Sequence, residues 1–212
     1  MSQAVTTRAA VSMRSQYSVP LLALALAVAG AMPFYIMDTG SAPGAIYSTN
    51  LGGLVDTAIG LPVNVYWLLA LPMAYAAVAV WAARRGQQGE PARVKPLVVT
   101  GLIALVAVIS VQVLAPSLLH GDLTGRSLTP LLSIAVAIAA WAVTERSIGL
   151  GVTAALVAAA SLVANLYDVV NVLQRLAIDP APQYSLAVNI ALVALTLGIA
   201  SAVFAFRARS AR

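Results

Sequence analysis

Polar residues are sparse along this chain, and between them lie six predominantly apolar stretches, at about residues 19–37, 62–83, 97–119, 129–144, 148–168 and 184–206. At about 1.5 Å per residue, roughly 20 residues of helix cover a hydrocarbon layer of about 30 Å. The pattern therefore predicts an all-α, polytopic transmembrane bundle of six spans forming a single transmembrane domain over residues 1–212. The fourth stretch is short. It counts as a span because the apolar run from Leu128 to Tyr167 is too long for one crossing and breaks only at Glu145–Arg146, a pair that reads as a tight hairpin. Pro20, Pro62, Pro96 and Pro130 each fall at the start of a span, where a missing amide donor costs nothing. Thr129 and Ser147 read as N-caps. Pro33, Pro72 and Pro116 mark expected kinks.

Composition sharpens this picture. Residues of the apolar set make up 61% of the chain and charged residues only 9%, whereas soluble domains carry roughly a quarter charged. That excludes an ordinary soluble enzyme and a disordered tail. The net charge of +5 does not point to nucleic acid, because the basic residues sit in short clusters between apolar runs. They read instead as topology signals. Arg8, Arg14, Arg84, Arg85, Arg93, Lys95, Arg146, Arg207, Arg209 and Arg212 fall on one side of the predicted bundle; only Arg126 and Arg175 fall on the other, with Asp38, Asp56, Asp122, Asp168 and Asp179. Both termini are accordingly expected in the cytoplasm. Phe34, Tyr35, Tyr66, Trp67, Tyr167 and Tyr184 sit at the outer ends of spans and Tyr17, Trp81, Trp141, Phe204 and Phe206 at the inner ends, as interfacial aromatics do. Ala29-Gly30-Ala31 resembles a signal-peptide cleavage site, but the apolar run continues through Met32-Pro33-Phe34-Tyr35-Ile36-Met37, which favours a retained anchor.

Function has to come from the few polar groups at membrane depth. Asn64, Gln112, Asn165, Asp168 and Asn189 all fall in the outer halves of their spans, whereas the inner halves hold only Ser and Thr, which can bond their own backbone. Two readings fit: the groups line an outward-facing polar pocket, or the amides join neighbouring helices at about 0.6 kcal/mol each. Asn165, Asp168, Asn171 and Arg175, spaced by three, three and four residues, share one face of a continuous helix. That face is either a binding wall or a helix end packed on a loop. Asp168, the one charged residue inside a marked span, needs a partner or water, and Arg126, Asn171 or the first outer loop are the candidates. In that loop Leu51, Leu54, Val55, Ala58 and Ile59 have the spacing of a short amphipathic helix, weakened by Gly52-Gly53.

Catalytic and metal-binding patterns are missing from the sequence. There is no cysteine, one histidine, and no motif of a serine hydrolase, zinc protease or nucleotide-binding loop, so no catalytic residue, metal or cofactor is assigned. The leading expectation is a non-enzymatic ligand-binding or transporter-accessory membrane subunit. It would be embedded in the lipid bilayer, take a small lipophilic or polar ligand, and work with an ABC-type ATPase or another membrane subunit. The alternative is an outer-leaflet hydrolase or transferase using His120 with Asp38, Asp56, Asp122 or Asp168.

Through Gly60-Leu-Pro-Val-Asn-Val-Tyr66-Trp67-Leu-Leu-Ala-Leu-Pro72, Arg84-Arg85-Gly86, Thr144-Glu145-Arg146-Ser147 and Asn165-Leu166-Tyr167-Asp168, the chain resembles uncharacterised actinobacterial integral membrane proteins. That resemblance implies a six-span architecture and no activity. Ala23, Ala27 and Ala31, with the length of the first outer loop, are similar to the six-helix substrate-binding subunits of energy-coupling-factor vitamin importers. ABC-2 type permeases also have six spans, but the 84–96 connection lacks the amphipathic pattern of a coupling helix.

Overall fold

A computed structural model describes residues 17–36, 60–87, 129–167 and 169–210, and these are helical with no strand among them. Helix α1 (Ser18–Ala29) is followed by a 3-10 turn (Met32–Tyr35). Then come α2 (Gly60–Gln87), α3 (Thr129–Glu145) and α4 (Ile148–Leu162). The last of these passes into a π-helical turn (Val163–Tyr167) and α5 (Val169–Arg175); a second 3-10 turn (Pro182–Tyr184) leads into α6 (Ser185–Arg209).

Local chemistry accounts for most of these boundaries. Pro20, Pro62 and Pro130 lie in the first turns of α1, α2 and α3, where the amide has no intrahelical partner to lose. Ser147 caps α4 by accepting from the Leu150 amide at 3.4 Å, whereas Thr129 is the first residue of α3 rather than a cap. The first apolar stretch is not one helix: α1 stops at Ala29, and Pro33 sits in the opening of the 3-10 turn that follows. Pro72 lies inside α2, which continues through it. The hairpin at Glu145–Arg146 is present. Here the Ser147 amide donates to the Ala142 carbonyl at 3.0 Å and the Arg146 amide to the Val143 carbonyl at 3.2 Å, with Arg146 left-handed at φ 50. The end of α5 repeats the arrangement, with Ile178 donating to Leu173 and Ala177 to Gln174, both at 3.0 Å, and Ala177 at φ 59. Both are Schellman endings, in which glycine normally takes the left-handed position.

Adjacent helices meet antiparallel. The Ser201 hydroxyl donates to the Ser18 carbonyl at 2.7 Å, tying the end of α6 to the start of α1. The Tyr66 hydroxyl donates to the Ala27 carbonyl, and the Trp67 indole N–H donates to the Tyr35 hydroxyl at 2.9 Å, tying the start of α2 to the end of α1. Tyr17 meets Trp141 of α3 and Phe204 of α6 edge-on, with ring centres 5.3 and 5.5 Å apart. One end of the bundle, the Tyr17 end, thus gathers the start of α1 and the ends of α3 and α6; the opposite Tyr35 end gathers the end of α1 and the start of α2. It follows that α2 and α3 both run from the Tyr35 end to the Tyr17 end. The first and last described residues, Tyr17 and Ser210, share the Tyr17 end.

Leu21, Val28, Leu131, Ile134, Ile138, Leu150, Val157, Ile190, Val193 and Leu197 are fully buried between the helices, yet Met73, Val143, Ile148 and Phe206 are about 70% exposed or more. Helices that are apolar outside as well as inside suit a hydrocarbon solvent. Among the described residues, three segments have the length and composition to cross a membrane by themselves: Ser18–Tyr35, Ile148–Asn165 and Ser185–Arg209. Val65–Val80 and Pro130–Glu145 are shorter apolar helices. The predicted span 97–119 and the amphipathic segment 51–59 lie outside the described residues.

Two substitutions probe this packing. A Cβ at Gly149 would stand 3.0 and 3.2 Å from ring atoms of Phe204, so Gly149→Ala should destabilise by about 1 kcal/mol or more through overpacking. Ala177→Gly should stabilise by about 1 kcal/mol by relieving the left-handed backbone. Thermal unfolding of the purified variants in detergent measures both.

Candidate functional site

Two of the polar residues singled out by depth, Asn165 and Asn189, lie at the irregular stretch where α4 gives way to the π turn. In a regular α-helix the Ser161 carbonyl would accept from the Asn165 backbone N–H. The Asn165 side chain donates to this carbonyl, Nδ2 to Ser161 O at 2.8 Å, and the bond adjoins the wider turn over Val163–Tyr167. Beyond it, Asn171 Nδ2 donates to the Tyr167 carbonyl at 2.6 Å.

The most consequential bond crosses between helices. The Val169 amide, at the start of α5, donates to Asn189 Oδ1 on α6 at 2.8 Å. Because a backbone N–H can only donate, this contact fixes which way the amide of Asn189 points. Asn189 is wholly buried, and its Nδ2 has no hydrogen-bond partner among the described residues. The same is true of the Ser161 hydroxyl, also wholly buried and one turn before Asn165. Two orphaned polar groups in an apolar interior each carry a desolvation cost of about 1–3 kcal/mol, and buried orphans are rare enough to mark sites.

Asn165 and Asn189 are therefore brought to the same irregular stretch, and each holds backbone as well as facing the interior. Asn64 lies in the first turns of α2, at the Tyr35 end; its side chain is outside the described set, as are Gln112 and Asp168. So are His120, Asp38, Asp56 and Asp122, and among the described residues no three of His, Asp and Glu come together. The common face expected for Asn165, Asp168, Asn171 and Arg175 assumed a continuous α-helix, and the π turn interrupts it between the first and the last. Arg175 instead lies over the Tyr167 ring, 5.8 Å from its centre, and Gln174 donates to Asp179 at 3.0 Å.

Ser161, in the outer half of its span, is not among the residues the sequence pattern singled out. Of the inner-half hydroxyls expected to bond their own backbone, Thr144, Thr153 and Thr196 do so, whereas Ser201 donates to Ser18 on α1. The available signal was the four-residue spacing to Asn165, which puts the amide over the carbonyl of Ser161. Among the described residues, Arg146, Arg207 and Arg209 are exposed at the Tyr17 end, while Arg175 and Asp179 are exposed near the opposite end.

Compared with protein-family models, curated proteins and solved structures, the chain gives no match.

Asn189→Leu leaves the Val169 amide buried without an acceptor and should destabilise the protein by about 1–3 kcal/mol. Asn171→Ala, which removes an exposed contact, should stay within about 0.5 kcal/mol of wild type. Unfolding midpoints of the two variants, measured side by side, check the contrast.

Proposed function

We propose that the chain is a six-span membrane protein with both termini in the cytoplasm. In this reading it serves as a non-enzymatic ligand-binding or transporter-accessory subunit, with an outward-facing polar pocket formed by Asn64, Gln112, Asn165, Asp168 and Asn189. The observation that carries the pocket is the Asn189 amide, buried, oriented by the Val169 N–H and left with an unused NH₂ donor. Such a donor suits a ligand that brings an acceptor oxygen into an otherwise apolar site. Support for six spans comes from the parallel course of α2 and α3, because a chain that leaves at the Tyr17 end and returns at the Tyr35 end has to recross the bilayer. The apolar stretch 97–119 is the length for that crossing. Support for the orientation comes from Arg146, Arg207 and Arg209 at one end. An ABC-type ATPase or another membrane subunit is the proposed partner, docking at that basic end.

The chain contains no cysteine, so single-cysteine labelling is clean. Gln88→Cys should be protected from a membrane-impermeant reagent in intact cells, and Asp179→Cys should be labelled; the reverse pattern overturns the orientation. For the pocket, extracts of the purified protein should yield a co-purifying small molecule that is lost from Asp168→Asn while its thermal midpoint is retained. Equal extracts and equal midpoints for Asp168→Asn and wild type would refute the site.

A further inference from the structure

A groove of about 810 Å³ runs along the face shared by α3 and α4, away from Asn189. Its lining extends from Leu132 to Val143 on α3 and from Ile148 to Ala158 on α4, and it reaches the hairpin at Arg146. Ala135, Ala142 and Ala154 are buried in it, whereas Val136, Val143 and Ile148 are 55, 77 and 86% exposed. Small residues make the floor and branched ones the rim, so the groove is an open, apolar depression.

Gly151 shows that the space is not required by internal packing. A Cβ placed there meets no atom within 4 Å, yet glycine inside a helix costs about 1 kcal/mol relative to alanine. Gly149, two residues earlier, is accounted for by Phe204; Gly151 has no such neighbour and opens on the groove.

Length and charge identify the occupant. The lining on each helix covers about 16 Å at 1.5 Å per residue, close to the roughly 15 Å of one hydrocarbon leaflet. The groove starts at the end of the bundle, at headgroup level, and stops near mid-membrane. At its mouth stands Arg146, exposed and in the left-handed conformation where glycine would be the low-energy residue. A cation kept in that costly position is complementary to a headgroup phosphate.

We infer that the α3–α4 groove is a specific site for an anionic phospholipid, one acyl chain lying on the alanine floor and the phosphate paired with Arg146. The inference needs only a membrane setting, and is independent of the polar pocket at Asn189.

The test uses the full chain in nanodiscs of phosphatidylcholine with a minor fraction of phosphatidylglycerol, followed by native mass spectrometry after transfer to detergent. Wild type should retain one phosphatidylglycerol in preference to phosphatidylcholine. Arg146→Gly removes the charge and relieves the backbone, so it should unfold at a higher temperature in detergent while retaining about tenfold less of the lipid. Gly151→Leu fills the groove and should lose the lipid to a similar extent. Gly198→Leu, at an equally open glycine on α6, should retain it. Equal retention of the two lipids, or unchanged retention in Arg146→Gly, overturns the proposal. So does a stable dimer that cross-links through a cysteine at position 139, because the groove would then be an interface between copies.

Discussion

Hydrocarbon offers no hydrogen bonds, so any departure from a regular helix within it must find internal partners for the amides and carbonyls it releases. The passage from α4 to α5 is such a departure, and the Val169–Asn189 bond is what makes it tolerable. Asn165 serves one carbonyl before the π turn, Asn171 serves the carbonyl of its last residue, Tyr167, and Asn189 reaches across from α6 to take the Val169 amide. The consequence is mutual. The irregular stretch is satisfied only when α6 is docked, and α6 carries a buried amide that is satisfied on one side only when the stretch has its π form. Helix geometry and helix packing at this end of the bundle are thus one cooperative unit, and the polar atoms left over, Asn189 Nδ2 and Ser161 Oγ, are by-products of that unit as much as features of a site.

The remaining packing is organised by the two ends. Tyr17, Trp141 and Phe204 bring three helices together at one end, and Phe34, Tyr66, Trp67 and Tyr35 join α1 to α2 at the other. Between them the core is mainly leucine, isoleucine, valine and alanine, with a few buried hydroxyls and the Asn189 amide among them. In a membrane these apolar contacts gain little over contact with lipid tails, so directional groups and close packing have to set register. The aromatic clusters and the few hydrogen bonds between helices, Ser201 to Ser18 and Tyr66 to Ala27 among them, occupy the positions from which register can be set.

Much of this anatomy was legible in the chain because it depends on short-range rules. Ser147 as a cap, the hairpin at Glu145–Arg146, the prolines in first turns and the segregation of Arg146, Arg207 and Arg209 from Asp179 each follow from residue type and position along a line. What was not legible depends on choices made between equal alternatives. Asn165 has the same side chain whether it lines a cavity or bonds back to Ser161, and a π turn interrupts the helix on which its spacing to Asn171 and Arg175 was counted. Arg146 and Ala177 take left-handed positions without the glycine that would announce them. Thr129 looked like a cap because it precedes Pro130, but the helix starts one residue earlier. The site is legible only in part for the same reason: Asn165 and Asn189 do meet one irregular stretch, and which of their atoms remain available is decided by tertiary packing.

The bond between Ser201 and Ser18 joins residues 183 positions apart. With ribosomes adding about 5–20 residues per second, α1 enters the membrane roughly ten to forty seconds before its partner has been synthesised. Throughout that interval Leu21, Leu24 and Val28, destined for the interior, rest against lipid. The contacts of Tyr66 and Trp67 with the far end of α1 become available much earlier, since α2 follows α1 closely in the chain. In a bilayer the contacts between α1 and α2 can therefore form first, and closure of the open flank by α6 comes last. Truncation anywhere in α6 would leave that flank bare in a protein that had otherwise inserted normally, as a substrate for membrane quality control.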